Sequence, residues 1–152
     1  MTRLAYTLFD TAVGRCAIVW GARGIVYVQL PEARESATRA RLRRRFPEAR
    51  EAPLTPEVER ALCALVALLR GEPSDLSDVA LDIAGVPPFD RRVYEVARTI
   101  PAGATLRVVA AGGELGGFSA HGGGATKLRL LAIEGERAPS QPGLFDGDAR
   151  PC

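Results

Sequence analysis

One lysine, one histidine, one tryptophan and three cysteines are all that the 152 residues contain of those four types. Cys16, Cys63 and Cys152 are odd in number and far apart, form no CxxC pair, and have no metal-ligand spacing with His121. That argues against a disulfide framework and against a structural zinc site. No run of residues reaches the apolar length of a membrane span. The opening Met1-Thr-Arg-Leu-Ala-Tyr has no apolar signal-peptide core, so the expected location is cytoplasmic. A formal net charge of +2 is too small to argue for or against a nucleic-acid partner. Every base except Lys127 is arginine, amid abundant Ala and Gly. Such a bias reads as GC-rich coding rather than as a selected phosphate-binding surface.

What is present is patterned. Hydrophobic residues make up 47% of the chain, enough for one ordinary domain or two small ones sharing a surface. Leu4 to Phe9 mixes apolar and β-prone residues. Arg15–Trp20 and Ile25–Leu30 are apolar runs joined by Gly-Ala-Arg-Gly, which predicts a hairpin ended by Pro31. Glu32 to Phe46 reads as an exposed helix whose second half carries Arg39, Arg41, Arg43, Arg44 and Arg45. Cations there suit the helix dipole, and a solvated helix end is the expected reading. Thr55-Pro56-Glu57 starts a second helix, with Leu62, Leu65, Val66 and Leu69 as its buried stripe and Gly71 as its stop. Cys63 on that helix is expected to be a small core residue. Val79–Ala84 is expected to form a short strand.

Gly85-Val86-Pro87-Pro88 marks a boundary. Residues 1–85 form the first domain in this reading, 86–137 the second, and 138–152, rich in Pro, Gly, Ser and Asp, a disordered tail. Phe89, Val93, Val96 and Ile100 fall on one helical face, ended by Pro101-Ala-Gly103. Arg107 to Ala111 reads as a strand, and Gly112-Gly113 with Gly116-Gly117-Phe118 as turns. A last helix follows Gly122–Gly124, with Leu128, Leu131 and Ala132 inward and Gly135 at its end.

Three stretches of this second part, in order, resemble one family. Phe89-Asp-Arg-Arg-Val-Tyr-Glu-Val-Ala-Arg-Thr-Ile-Pro-Ala-Gly-Ala-Thr105 is similar to the opening helix and "IPxG-x-T" turn of the methylated-DNA–protein-cysteine methyltransferases, the O6-alkylguanine repair proteins. Arg107-Val-Val-Ala-Ala-Gly-Gly-Glu-Leu-Gly-Gly-Phe-Ser119 is similar to the strand and wing after that family's active-site motif. Gly123-Gly-Ala-Thr-Lys127-Leu-Arg-Leu-Leu-Ala-Ile-Glu134-Gly135 is similar to its closing "K-x-x-L-L-x-x-E-G" helix. The resemblance implies a mixed α/β (α+β) fold: an RNase H-like N-terminal sheet-plus-helix domain, then a winged-helix-like C-terminal domain, here truncated.

The truncation is visible where Thr105-Leu106 runs directly into Arg107-Val108-Val109. The family has a helix-turn-helix, an arginine finger and Pro-Cys-His-Arg at that junction. Roughly thirty to forty residues are missing, the size of a two-helix DNA-reading unit plus a strand. The family's reaction moves the alkyl group of a flipped O6-alkylguanine onto a cysteine, which requires a thiolate, a base relay and a pocket for the base. By resemblance, Glu134 is the remnant relay acid, and Gly117, Phe118 and Ser119 are a remnant of the pocket loop. Arg107, Lys127 and Arg129 are candidate DNA contacts. No cysteine in the chain matches the acceptor, and His121 matches no relay position and is expected on a surface loop.

The expectation is therefore a family member without transfer activity, needing no cofactor and no metal, with weak DNA affinity and no membrane partner. The alternatives are a non-enzymatic damaged-DNA binding module or a degenerate product. Without partner helices, the face of Phe89, Val93 and Val96 is expected to repack on the first domain, self-associate or aggregate.

Overall fold

The computed structural model describes residues 3–101, 121 and 124–133. Strands β1 (Ala5–Thr11), β2 (Gly14–Gly21) and β3 (Gly24–Gln29) form an antiparallel meander. A two-residue strand, β4 (Arg50–Glu51), adds parallel to β1, giving the order β3-β2-β1-β4. Helices α1 (Glu35–Arg45) and α2 (Pro56–Leu69) follow β3 and β4 respectively. Farther along lie α3 (Pro88–Ala97) and α4 (Gly124–Ile133).

The sheet is covered on both faces, which is why its central strand reads as the unbroken apolar run Cys16-Ala-Ile-Val-Trp20. Strand side chains alternate between faces. Cys16, Ile18 and Trp20 turn toward α2 and pack with Phe9, Val58 and Leu69, flanked by Leu62, Leu65, Val66 and, from α4, Leu130. Ala17 and Val19 turn the other way and pack with Tyr6, Leu8 and Leu42 of α1, flanked by Tyr27 and Phe46. Arg45 stacks its guanidinium over Tyr27 at 4.9 Å, closing the edge of this second cluster.

The local signals for α2 act as the sequence predicts. Thr55 Oγ1 accepts from the Val58 amide, and Pro56 occupies the first turn. At the other end Gly71, at φ +83°, lets the Gly71 and Glu72 amides donate back to Leu68 and Ala67 carbonyls. This is a Schellman closure, which favours glycine at the left-handed position.

Five expectations need correction. Helix α1 begins at Glu35 rather than Glu32. The Glu32 amide instead donates to Thr38 Oγ1, and its carboxylate pairs with Arg41 at 2.6 Å. Val79–Ala84 is not a strand. It contributes one parallel bridge, Leu81 to Ile25, held by Ile25 N to Ala80 O and Asp82 N to Ile25 O, both 2.9 Å. Cys63 is exposed, because it lies off the stripe that carries Val58, Leu62, Leu65 and Leu69. Ala132 is exposed as well, and it is Leu130 that reaches the core. Helix α3 stops at Ala97, four residues before Pro101. The expected strand and wing after Gly103 lie outside the described residues, as do the side chains of Leu128 and Leu131.

Candidate functional site

Of the residues that resemblance singles out, Arg107, Gly117, Phe118, Ser119 and Glu134 lie outside the described residues. Lys127 is in the second turn of α4, and its side chain is likewise not described. Arg129, on the same helix, is exposed and donates through Nη2 to the carbonyl of Ala12 in the β1–β2 turn. That bond and the packing of Leu130 seat α4 beside α2 and the first hairpin.

The cysteines differ sharply. Cys16 is fully buried in the centre of β2, and its sulfur lies 3.5 Å from Thr11 Oγ1. Burial pushes the thiol up from its ordinary range, with the Thr11 contact opposing part of the rise. A thiol so placed is a core group rather than a nucleophile. Cys63 is solvent-facing on α2.

His121 is half exposed, as a loop histidine should be. Its Nδ1 lies 3.8 Å from Glu32 Oε2, and its backbone carbonyl accepts from Thr126 Oγ1 at 2.6 Å. The imidazole thus faces a carboxylate already engaged by Arg41. Among the described residues no cluster of His, Cys, Asp and Glu could hold a metal ion, and no helix is long and apolar enough to cross a membrane.

Two of the five arginines of α1, Arg39 and Arg41, are paired with acids that sequence spacing did not match to them. Arg39 reaches both Glu35 and Glu51 at 2.8 Å, and Arg15 joins Asp10 and Glu35. Arg39 holds the Glu51 carboxyl below its usual range. Only Arg43 and Arg44 of this helix lack a carboxylate or aromatic partner among the described residues.

Two further features lay beyond sequence reasoning. A cavity of about 270 Å³ opens between β2, β3, α2 and residues 76–81, walled by Ile18, Ile25, Leu65 and Leu81 with Arg98 at its edge. Helix α3 is fixed to the neighbouring segment by arginines: Arg91 Nη2 donates to the carbonyls of Ile83 and Ala84, and Arg98 Nη2 to that of Ser77.

No protein-family model matches the chain. Two curated proteins do. The bifunctional transcriptional activator/DNA repair enzyme Ada of Escherichia coli is 31% identical over 101 residues, covering 66% of this chain and 28% of Ada. A DNA base-flipping protein of Thermus thermophilus is 41% identical over 69 residues, covering 42% of this chain and 47% of that protein. The match thus spans less than half the length of either relative. Among solved structures, the O6-methylguanine methyltransferase of Mycobacterium tuberculosis superposes with a TM-score of 0.62 at 23% identity, covering 91% of this chain and 96% of that one. Its complex with DNA superposes with the same TM-score at 22% identity, covering 90% and 96%. The sheet between α1 and α2, with α3 and α4 following, is the fold of the O6-methylguanine methyltransferases, and the resemblance first read from the three C-terminal motifs holds.

Proposed function

We propose that this chain is a DNA-repair protein of the alkylguanine methyltransferase type that does not itself accept an alkyl group. Residues 1–85 act as the structural platform in this reading, 86–137 as the DNA-facing part and 138–152 as a tail. The observation that carries it is the distribution of thiols: the chain has no cysteine between Cys63 and Cys152, and Cys16 is sealed in the sheet. Transfer needs a sulfur in line with the alkyl carbon at roughly 3–3.5 Å, and a base to make it a thiolate. His121, the chain's one histidine, addresses Glu32.

The test is mass spectrometry after incubation with duplex containing O6-methylguanine. No methylated peptide is expected. A stoichiometric methyl adduct on Cys16, Cys63 or Cys152, abolished by Cys→Ser, would refute the proposal.

The similarity to a DNA base-flipping protein favours a second reading, in which the chain binds damaged DNA without chemistry. With a small net charge and no groove-reading helix by resemblance, binding should be weak, sequence-independent and steeply salt-dependent. Titration of labelled duplexes with and without O6-methylguanine at physiological salt separates the two. Submicromolar, alkylation-selective binding would establish the second.

A further inference from the structure

Helix α3 rests on the protein by its polar side. Helical spacing puts Phe89, Val93 and Val96 on one stripe, and Arg91 and Arg98, seven residues apart, on the opposite one. The arginine side is the docked side: Arg91 donates to Ile83 O at 3.1 Å and Ala84 O at 3.3 Å, and Arg98 to Ser77 O at 2.9 Å. Arg91 is the one residue of α3 that is not exposed. Phe89 is 76% exposed, Val96 52% and Val93 40%. An amphipathic helix at a protein surface ordinarily buries its apolar stripe. Here the stripe faces out.

We propose that this stripe is a self-association surface, on which α3 of a second copy lies antiparallel about a twofold axis. The charges beside the stripe select that partner. Arg92 and Glu95 lie on the same flank, three residues apart. In an antiparallel pair crossing between Val93 and Tyr94, Arg92 of one copy stands level with Glu95 of the other, and the twofold repeats the pair. The same register sets Phe89 level with Arg98 of the second copy, two residues or about 3 Å along the axis past its Val96, and Val93 within one residue of its Val93. A parallel, in-register pairing would instead set Arg92 level with Arg92.

The small area points to a weak contact. Phe89, Val93 and Val96 together offer roughly 300 Å² of apolar surface per copy, the size of a large patch on an ordinary monomer. A standard interface needs about 800 Å² per partner. The dimer therefore belongs to the weak, transient class, with a dissociation constant on the order of 100 μM. This inference goes beyond the proposed function and stands whether or not DNA is bound.

Sedimentation velocity of the full chain from about 5 to about 500 μM, without DNA, tests it. A shift from monomer to dimer across that range is expected. Val93→Lys should hold the chain monomeric. Arg92→Glu and Glu95→Arg should each do the same, because each sets like charges opposite one another. An equimolar mixture of those two variants should recover the dimer, since every cross-pair is then one acid and one base. Circular dichroism of each variant confirms that it is folded. Monomer at every concentration, dimerisation of the single charge variants, or no recovery in the mixture would overturn the proposal. So would a monomer destabilised by Val93→Lys, which would mean that the stripe is covered within one chain.

Discussion

Gly24→Ala should destabilise this protein more than any surface substitution of similar size. Gly24 sits at φ +132°, where a residue with a side chain is strained by about 1–3 kcal/mol. An added Cβ would lie 2.3 Å from Ala80 O and 2.6 Å from Ala80 C. Those are backbone atoms, so no rotamer change relieves the clash. Moving residues 80–82 away breaks the two 2.9 Å bonds that hold the segment, Ile25 N to Ala80 O and Asp82 N to Ile25 O. Each contributes about 1 kcal/mol net. The stiffer unfolded chain of the alanine variant returns about 0.4–1 kcal/mol. The balance is a loss of about 2–5 kcal/mol, against a total stability of about 5–15 kcal/mol for a typical domain. Urea denaturation followed by the fluorescence of Trp20, which is in the core cluster, reads the change directly. The melting midpoint should fall by roughly 5–15 °C. Gly85→Ala is the control, since an added Cβ there meets nothing within 4 Å. Because residues 77–84 also receive Arg91 and Arg98, amide exchange over α3 should accelerate in Gly24→Ala. A change below about 0.5 kcal/mol, within the range of ordinary surface substitutions, would show that the contact between Gly24 and Ala80 does not constrain the fold.

Gln29 is 3% exposed at the end of β3, and neither its amide nitrogen nor its oxygen has a partner among the described residues. Gln29→Leu should therefore raise stability by about 1–3 kcal/mol, seen as a higher urea midpoint, and a drop would reveal a bond to that amide. In native protein iodoacetamide should modify Cys63 promptly and Cys16 at least ~1000-fold more slowly, since buried Cys16 is reached only by opening; comparable rates would refute its burial. Arg39 depresses the folded-state pKa of Glu51, so the stability from that pair is present above the unfolded carboxylate pKa and is lost as pH falls through the folded value. Stability of Glu51→Gln should accordingly decline less steeply on acidification below about pH 4.3, and parallel curves would count against the pair.

The elements legible in the sequence are those whose causes are local. The hairpin of β2 and β3 shows as two apolar runs around Gly-Ala-Arg-Gly. Helix α2 shows as Thr55-Pro56 at one end and Gly71 at the other. Strand β4 has no such signature. Arg50 and Glu51 join the sheet through backbone bonds alone, Arg50 N to Leu4 O and Ala52 N to Tyr6 O. The bridge at Leu81 is equally invisible, because its partner Ile25 is far away in the chain. Cys63 could have been placed from spacing: it falls about 140° around the helix from Val58, off the apolar stripe. Its residue type points inward on average, and here helical geometry outweighs that average.

For the candidate site, residue type showed less than docking did. The stripe of Phe89, Val93 and Val96 was plain, but a stripe states only that one side of a helix is apolar, not which side meets the protein. That is decided by the carbonyls of Ser77, Ile83 and Ala84, which lie in an irregular segment and accept from Arg98 and Arg91. Arg129 on α4 satisfies Ala12 O in the same manner. Both core clusters, by contrast, draw their buried residues from β1, β2, α1 and α2. A segment inserted between Leu106 and Arg107 is needed for none of those contacts. The sheet and its two covering helices therefore hold this part of the methyltransferase fold with buried residues that all precede α3, whatever the chain carries at the junction of Leu106 and Arg107.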